Sequence, residues 1–181
     1  MLSLLILLVL IWNFYIGYSR GIILQSFYTL GALFSLLVAS HFYRGLAHKI
    51  TLWIPYSNPA EGASTLFFKT INIFDLNKVY YAGIAFFALF LLTYALVRLV
   101  GVLVHLFQID SFESLWTKVF SGVLALLVSL LFLSMVLTIL VTVPMPAIQQ
   151  HLHASLFGRL LIEHFPPFTT MLQKLWVQAI V

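Results

Sequence analysis

The sequence predicts an all-α membrane protein with four transmembrane helices and C-terminal amphipathic interfacial helices. Three observations carry that reading. The chain has 181 residues, 62% hydrophobic and 8% charged, against the roughly 25% charged residues of a soluble domain. Its apolar residues gather into four long runs, each near the ~20 residues that cross a bilayer. The nine Lys and Arg residues lie at the ends of those runs or between them, as membrane flanks do.

Composition also excludes. The net charge is +4, but the cations are scattered, and no basic patch with interleaved aromatics marks a nucleic-acid surface. There is no Cys, which removes disulfides, thiolate metal sites and Cys nucleophiles. No glycine-rich phosphate loop, HExxH or Ser/His/Asp arrangement occurs. His151, His153 and His164 make a poor metal set, because residues two apart on a helix point away from each other. We expect no catalytic residue, cofactor or metal.

The first span is expected near 2–18. It has no basic leading region, and Tyr18-Ser19-Arg20 is no small-x-small cleavage site, so it reads as an uncleaved anchor. Asn13 reads as an interfacial residue beside Trp12 and Tyr15. Gly17-Tyr18-Ser19-Arg20-Gly21 then forms a tight, positively charged turn, and Arg20 is the only charged side chain from Met1 to Ser40. The second span is expected near 22–43. Gly31, Ser35 and Ala39 are four apart and share a face that lets another helix approach closely. Gln25 sits one turn in, placed to hydrogen-bond across helices.

The segment from Gly45 to Lys78 holds Pro55, Asn58-Pro59 and several aromatics. We expect it along the membrane surface, with Leu46–Trp53 as a short interfacial helix. Asp75 is the candidate N-cap of the third span. That span is expected near 79–104. Arg98, Gly101 and His105 share one face there, either as a polar lining or as the place where the helix leaves the bilayer with Arg98 snorkelling. Ser111, Glu113 and Ser114 suggest a fresh helix start.

The fourth span is expected near 119–143. Ser121, Gly122 and Ala125 supply a second small-residue packing face. Ser129, Ser134 and Thr138, with Arg98 and Gly101, are the candidate polar lining. Hydroxyls also bond back to their own helix carbonyls, which leaves that role open. Pro144 and Pro146 end the span. Two amphipathic helices follow, near 147–164 and 168–180, placed on the membrane or over the bundle.

The turn Gly17-x-x-Arg20-Gly21 between two spans, followed by a helix with Gly31 and Ala39, resembles the start of the colicin V production protein (CvpA) family. Arg98 and Gly101 are similar to an Arg and Gly at the end of that family's third span. Thr117-Lys118-Val119-Phe120-Ser121-x-x-x-Ala125 follows a family pattern of acid or Asn, then Arg, two apolar residues and G-x-x-x-G, with each polar and glycine position replaced. Ser155 and Pro166 match a Ser and a Pro in the family tail. The resemblance runs along nearly the whole chain.

The resemblance implies a multi-pass protein of the bacterial inner membrane, forming a single domain over 1–181. It implies association with colicin V production or export and with envelope homeostasis, through an undefined biochemical mechanism. Its expected partners are the lipid bilayer and either further copies or other membrane proteins. Three functions compete: a non-enzymatic accessory protein, a small oligomeric channel or transporter component, and a membrane-embedded enzyme. The first needs only helix faces and interfacial tails. The enzyme reading is the weakest, because no acid, base or nucleophile pair sits at bilayer depth. An even number of spans puts both termini on one side. Six cations on that side against three opposite favour the cytoplasm, although Arg20 in the first turn argues the other way.

Overall fold

The computed structural model describes residues 2–56, 67, 76–105, 114–163, 165 and 168–178. Four long helices form the body: α1 (Leu2–Arg20), α2 (Ile22–Ile50), α3 (Leu76–His105) and α4 (Leu115–Val141). All four are long and apolar enough to cross a membrane. At 1.5 Å per residue, the 19 residues of α1 rise about 28 Å, close to the thickness of the hydrocarbon layer. Large apolar side chains such as Leu8, Leu30, Leu37, Leu96 and Leu127 point outward, where a bilayer rather than water makes exposure favourable.

The helix ends differ from those expected, for local reasons. The glycine-arginine turn is a single residue. α1 runs through Arg20, and Gly21 alone breaks the helix with φ 82° and ψ 162°, a conformation that side chains disfavour. Leu46–Trp53 is not a separate interfacial helix. α2 continues through Gly45, which meets no neighbour, and ends at Ile50. Trp53 and Ile54 then bond back to the Ile50 carbonyl. α4 starts at Leu115, because Ser114 and Thr117 form a capping box that satisfies its first free N–H groups. Asn58-Pro59, Asp75, Ser111, Glu113 and Pro166-Pro167 lie outside the described residues.

The expected tail helix over 147–164 is two helices, α5 (Pro146–Ala154) and α6 (Leu156–Glu163). Ser155 parts them in an extended conformation. Its hydroxyl accepts from the Gly158 N–H at 3.1 Å and lies 2.9 Å from the Ser3 hydroxyl. Serine favours that capping role over a helix interior. α7 (Phe168–Leu172) continues as a π-helical turn, Gln173–Gln178.

α2 packs along α3, α1 packs along α4, and contact of α2 with α4 joins the two pairs. One core cluster includes Tyr43, Phe86, Phe90, Met135 and Trp176. A second joins Ile6, Leu76, Leu137, Val141, Leu152 and Leu161. The tail covers the bundle at the Ser3 end. Trp176 is fully buried, with its ring centroid 5.6 Å from that of Phe86. The Tyr43 hydroxyl donates to the Leu175 carbonyl at 2.7 Å. The Gln149 amide donates to the carbonyls of Val141 and Val143, which the proline-ended α4 leaves without helical partners.

Candidate functional site

α1 and α3 make little contact with each other, and a cleft opens between them with α4 as its floor. Its volume is about 430 Å³, within the ~300–1,000 Å³ range of small-ligand sites. One face of α1 supplies Val9, Asn13, Ile16 and Arg20, and one face of α3 supplies Leu91, Tyr94, Ala95 and Arg98. These spacings of three and four residues place each set along a single stripe. α4 adds Ala125, Val128, Ser129, Phe132 and Leu133, and α2 adds Gln25.

The cleft is cationic at one end and mostly apolar along its length, with Asn13 and Ser129 set into its walls. The polar end is built around Tyr28. Arg20 Cζ lies 5.3 Å and Arg98 Cζ 5.5 Å from the centroid of its ring. The negative face of an aromatic ring attracts a guanidinium, and here one phenol gathers two from different helices. Gly101 makes room for that ring. A β-carbon there would lie 2.8 Å from the phenol oxygen and 2.9 Å from Cζ, far inside contact. Among the described residues, no carboxylate lines the cleft.

The other polar groups divide into satisfied and unsatisfied. The Asn13 amide donates to the Val9 carbonyl at 2.8 Å, and the Ser129 hydroxyl donates to the Ala125 carbonyl at 3.0 Å. Gln25 is only 2% exposed, and its Oε1 has no hydrogen-bond partner among the described residues. A buried, unpaired acceptor is costly and uncommon.

The residues singled out from the sequence fall into three places. Arg98 and Ser129 line the cleft, and Gly101 stands behind Tyr28. Ser134 and Thr138 are buried and do not line it; the Thr138 hydroxyl donates to the Ser134 carbonyl at 2.7 Å. At about 100° per residue, a step of five turns Ser134 well away from Ser129. The small residues lie in helix contacts. Gly31, Ser35 and Ala39 are buried, with Gly31 against Val97 of α3. Gly17 faces Ser121, Gly122 and Ala125, while Gly122 faces Phe14. The His151 ring nitrogen lies 2.7 Å from the Ala147 carbonyl, and His164 is outside the described residues.

Sequence reasoning placed Arg20 in the turn and Asn13 at the interface. It did not unite them with Tyr28, Tyr94 and Gln25 in one site. Asn13 and Arg20 are seven apart on an otherwise apolar helix, which was the available signal.

The model of the colicin V production protein family matches residues 2–166. An uncharacterized transmembrane protein of Bacillus subtilis (strain 168), YshB, is 30% identical over 178 residues, covering 98% of this chain and 98% of its own. No solved structure matches the chain. With a family match over nearly its whole length and a full-length transmembrane relative, this four-span, all-helical chain belongs to the colicin V production protein family.

Proposed function

We propose that the protein is a non-enzymatic accessory component of the bacterial inner membrane, with both termini in the cytoplasm, that assists toxin export and envelope maintenance through contacts with other membrane proteins or further copies of itself. One observation supports this reading above the others. The cleft lies between α1 and α3, and its described lining offers apolar walls, two guanidiniums, the back-bonded Asn13 and Ser129, and the Gln25 amide. Acyl or phosphoryl chemistry asks for a nucleophile and a base in mutual reach. The family name adds the association with colicin V production.

A channel or transporter component is the second reading, favoured by the polar residues Arg98 and Ser129 in a cleft of this size. Reconstitution in liposomes separates the two. The accessory reading expects no ion or solute flux, and capture of membrane partners that depends on the tail from Ala147 to Val181. Robust flux that disappears in a correctly inserted Arg98→Ala variant replaces it with the channel reading.

A further inference from the structure

Arg20 and Arg98 reach the same phenol ring from different helices. Two like charges brought together at the edge of a low-dielectric layer repel, and a shared anion relieves the repulsion. Guanidinium groups suit a phosphate, whose oxygens accept paired N–H bonds. Arg20 is the last residue of α1, and a helix of 19 residues that crosses the hydrocarbon would end near the headgroups.

Below the arginines the cleft is mostly apolar, since Asn13 and Ser129 are bonded back to their own helix carbonyls, and its length fits one leaflet. From Arg20 to Val9 the α1 wall descends eleven residues, about 16 Å of helix. Half of a ~30 Å hydrocarbon layer is the same distance. A free anion would occupy the cationic end and leave this apolar wall uncovered. A lipid fills both. The unpaired Oε1 of Gln25 is buried in the same lining, and it asks for a hydrogen-bond donor, which a hydroxylated headgroup carries.

We propose that the α1–α3 cleft binds one anionic phospholipid of the phosphatidylglycerol type, its phosphate held between Arg20 and Arg98 and one acyl chain laid along Val9, Leu91, Phe132 and Leu133. The site does not depend on the accessory reading, since a scaffold and a channel component can equally hold a lipid.

Native mass spectrometry of the full-length protein tests this. The protein is released from micelles containing equal phosphatidylglycerol and phosphatidylcholine of the same chain length. The expected result is one retained lipid, with phosphatidylglycerol preferred about thirtyfold, as two interfacial cations imply. Arg20→Gln with Arg98→Gln removes the preference while circular dichroism stays that of the parent. Ala95→Trp, a change at an exposed wall position, keeps both cations and expels the chain, so it carries the test if the double variant fails to fold. Glycerol phosphate, the headgroup chemistry without chains, does not displace the lipid. Equal retention of the two lipids by the parent overturns the proposal, as does a preference that survives in the folded double variant. Displacement by equimolar glycerol phosphate overturns it in favour of a free-anion site.

Discussion

The hydroxyl of Ser121 donates to the carbonyl oxygens of both Gly17 and Gly21, at 2.5 and 3.0 Å. Gly17 lies in the last turn of α1, and Gly21 is the residue that separates α1 from α2. A single side chain on α4 therefore fastens the turn between the first two spans. The contact is possible because Gly17 carries no β-carbon, which would lie 2.9 Å from the Ser121 carbonyl.

Ser121→Ala is expected to keep the close approach and lose the hydrogen bonds, at about 1 kcal/mol. Ser121→Leu is expected to destabilise far more, because no space exists beside Gly17. Thermal unfolding in detergent reads both. Equal effects of the two changes would mean that the packing, not the hydrogen bonding, is misassigned.

Gly31→Leu is expected to impair assembly more than Leu33→Gly. Gly31 is buried against Val97, whereas Leu33 points out of the bundle. The glycine substitution at position 33 costs about 1 kcal/mol in helix propensity, and the leucine at position 31 forces α2 and α3 apart. Accumulation in membranes and monodispersity after extraction measure the difference. Normal accumulation of Gly31→Leu would place that face against lipid.

Gln25→Leu is expected to stabilise the lipid-free protein by about 1–3 kcal/mol, because it removes a buried acceptor that lacks a partner. The same change is expected to weaken phosphatidylglycerol retention. That opposition marks a polar residue kept for binding at a cost in stability. Loss of stability in delipidated detergent would show instead that the amide is already satisfied.

The Tyr56 phenol donates to the Thr142 carbonyl at 2.8 Å. Burial first, then the neighbouring Tyr80 and Tyr81, raise its pKa from 10.0 to about 12. The raised value means that the folded state favours the neutral phenol. Its contribution is therefore fully present below pH 10 and is lost as the pH rises towards about 12. The stability difference between parent and Tyr56→Phe should be flat up to pH 10 and shrink above it. A difference that stays constant through that window would contradict the assignment.

The existence and number of the spans were legible because apolar runs of that length have few alternatives. Their ends were not. Gly45 looked like a boundary, but a glycine with no neighbour costs a helix only about 1 kcal/mol. The amphipathic pattern over 147–164 suggested one continuous helix, and the capping preference of Ser155 overrode it. The candidate polar lining combined Ser129 with Ser134 and Thr138, which the helical pitch turns to another side of α4. The gathering of Arg20 and Arg98 on Tyr28 involves α1, α2 and α3, and no local pattern in the sequence carries it.

The most direct test of the account is single-cysteine labelling in intact membranes, helped by the absence of any native Cys. Leu37 is 68% exposed and Leu127 43% exposed in the fold, so both thiols would label readily if water surrounded the bundle. Leu36 is buried and would be silent in either case. Leu37→Cys and Leu127→Cys are expected to stay unlabelled by a membrane-impermeant maleimide, as four spans require. Trp53→Cys, 84% exposed beyond the end of α2, and Ser114→Cys, at the start of α4, should label from opposite sides. Ready labelling of Leu37→Cys or Leu127→Cys in the folded protein would contradict the four-span architecture.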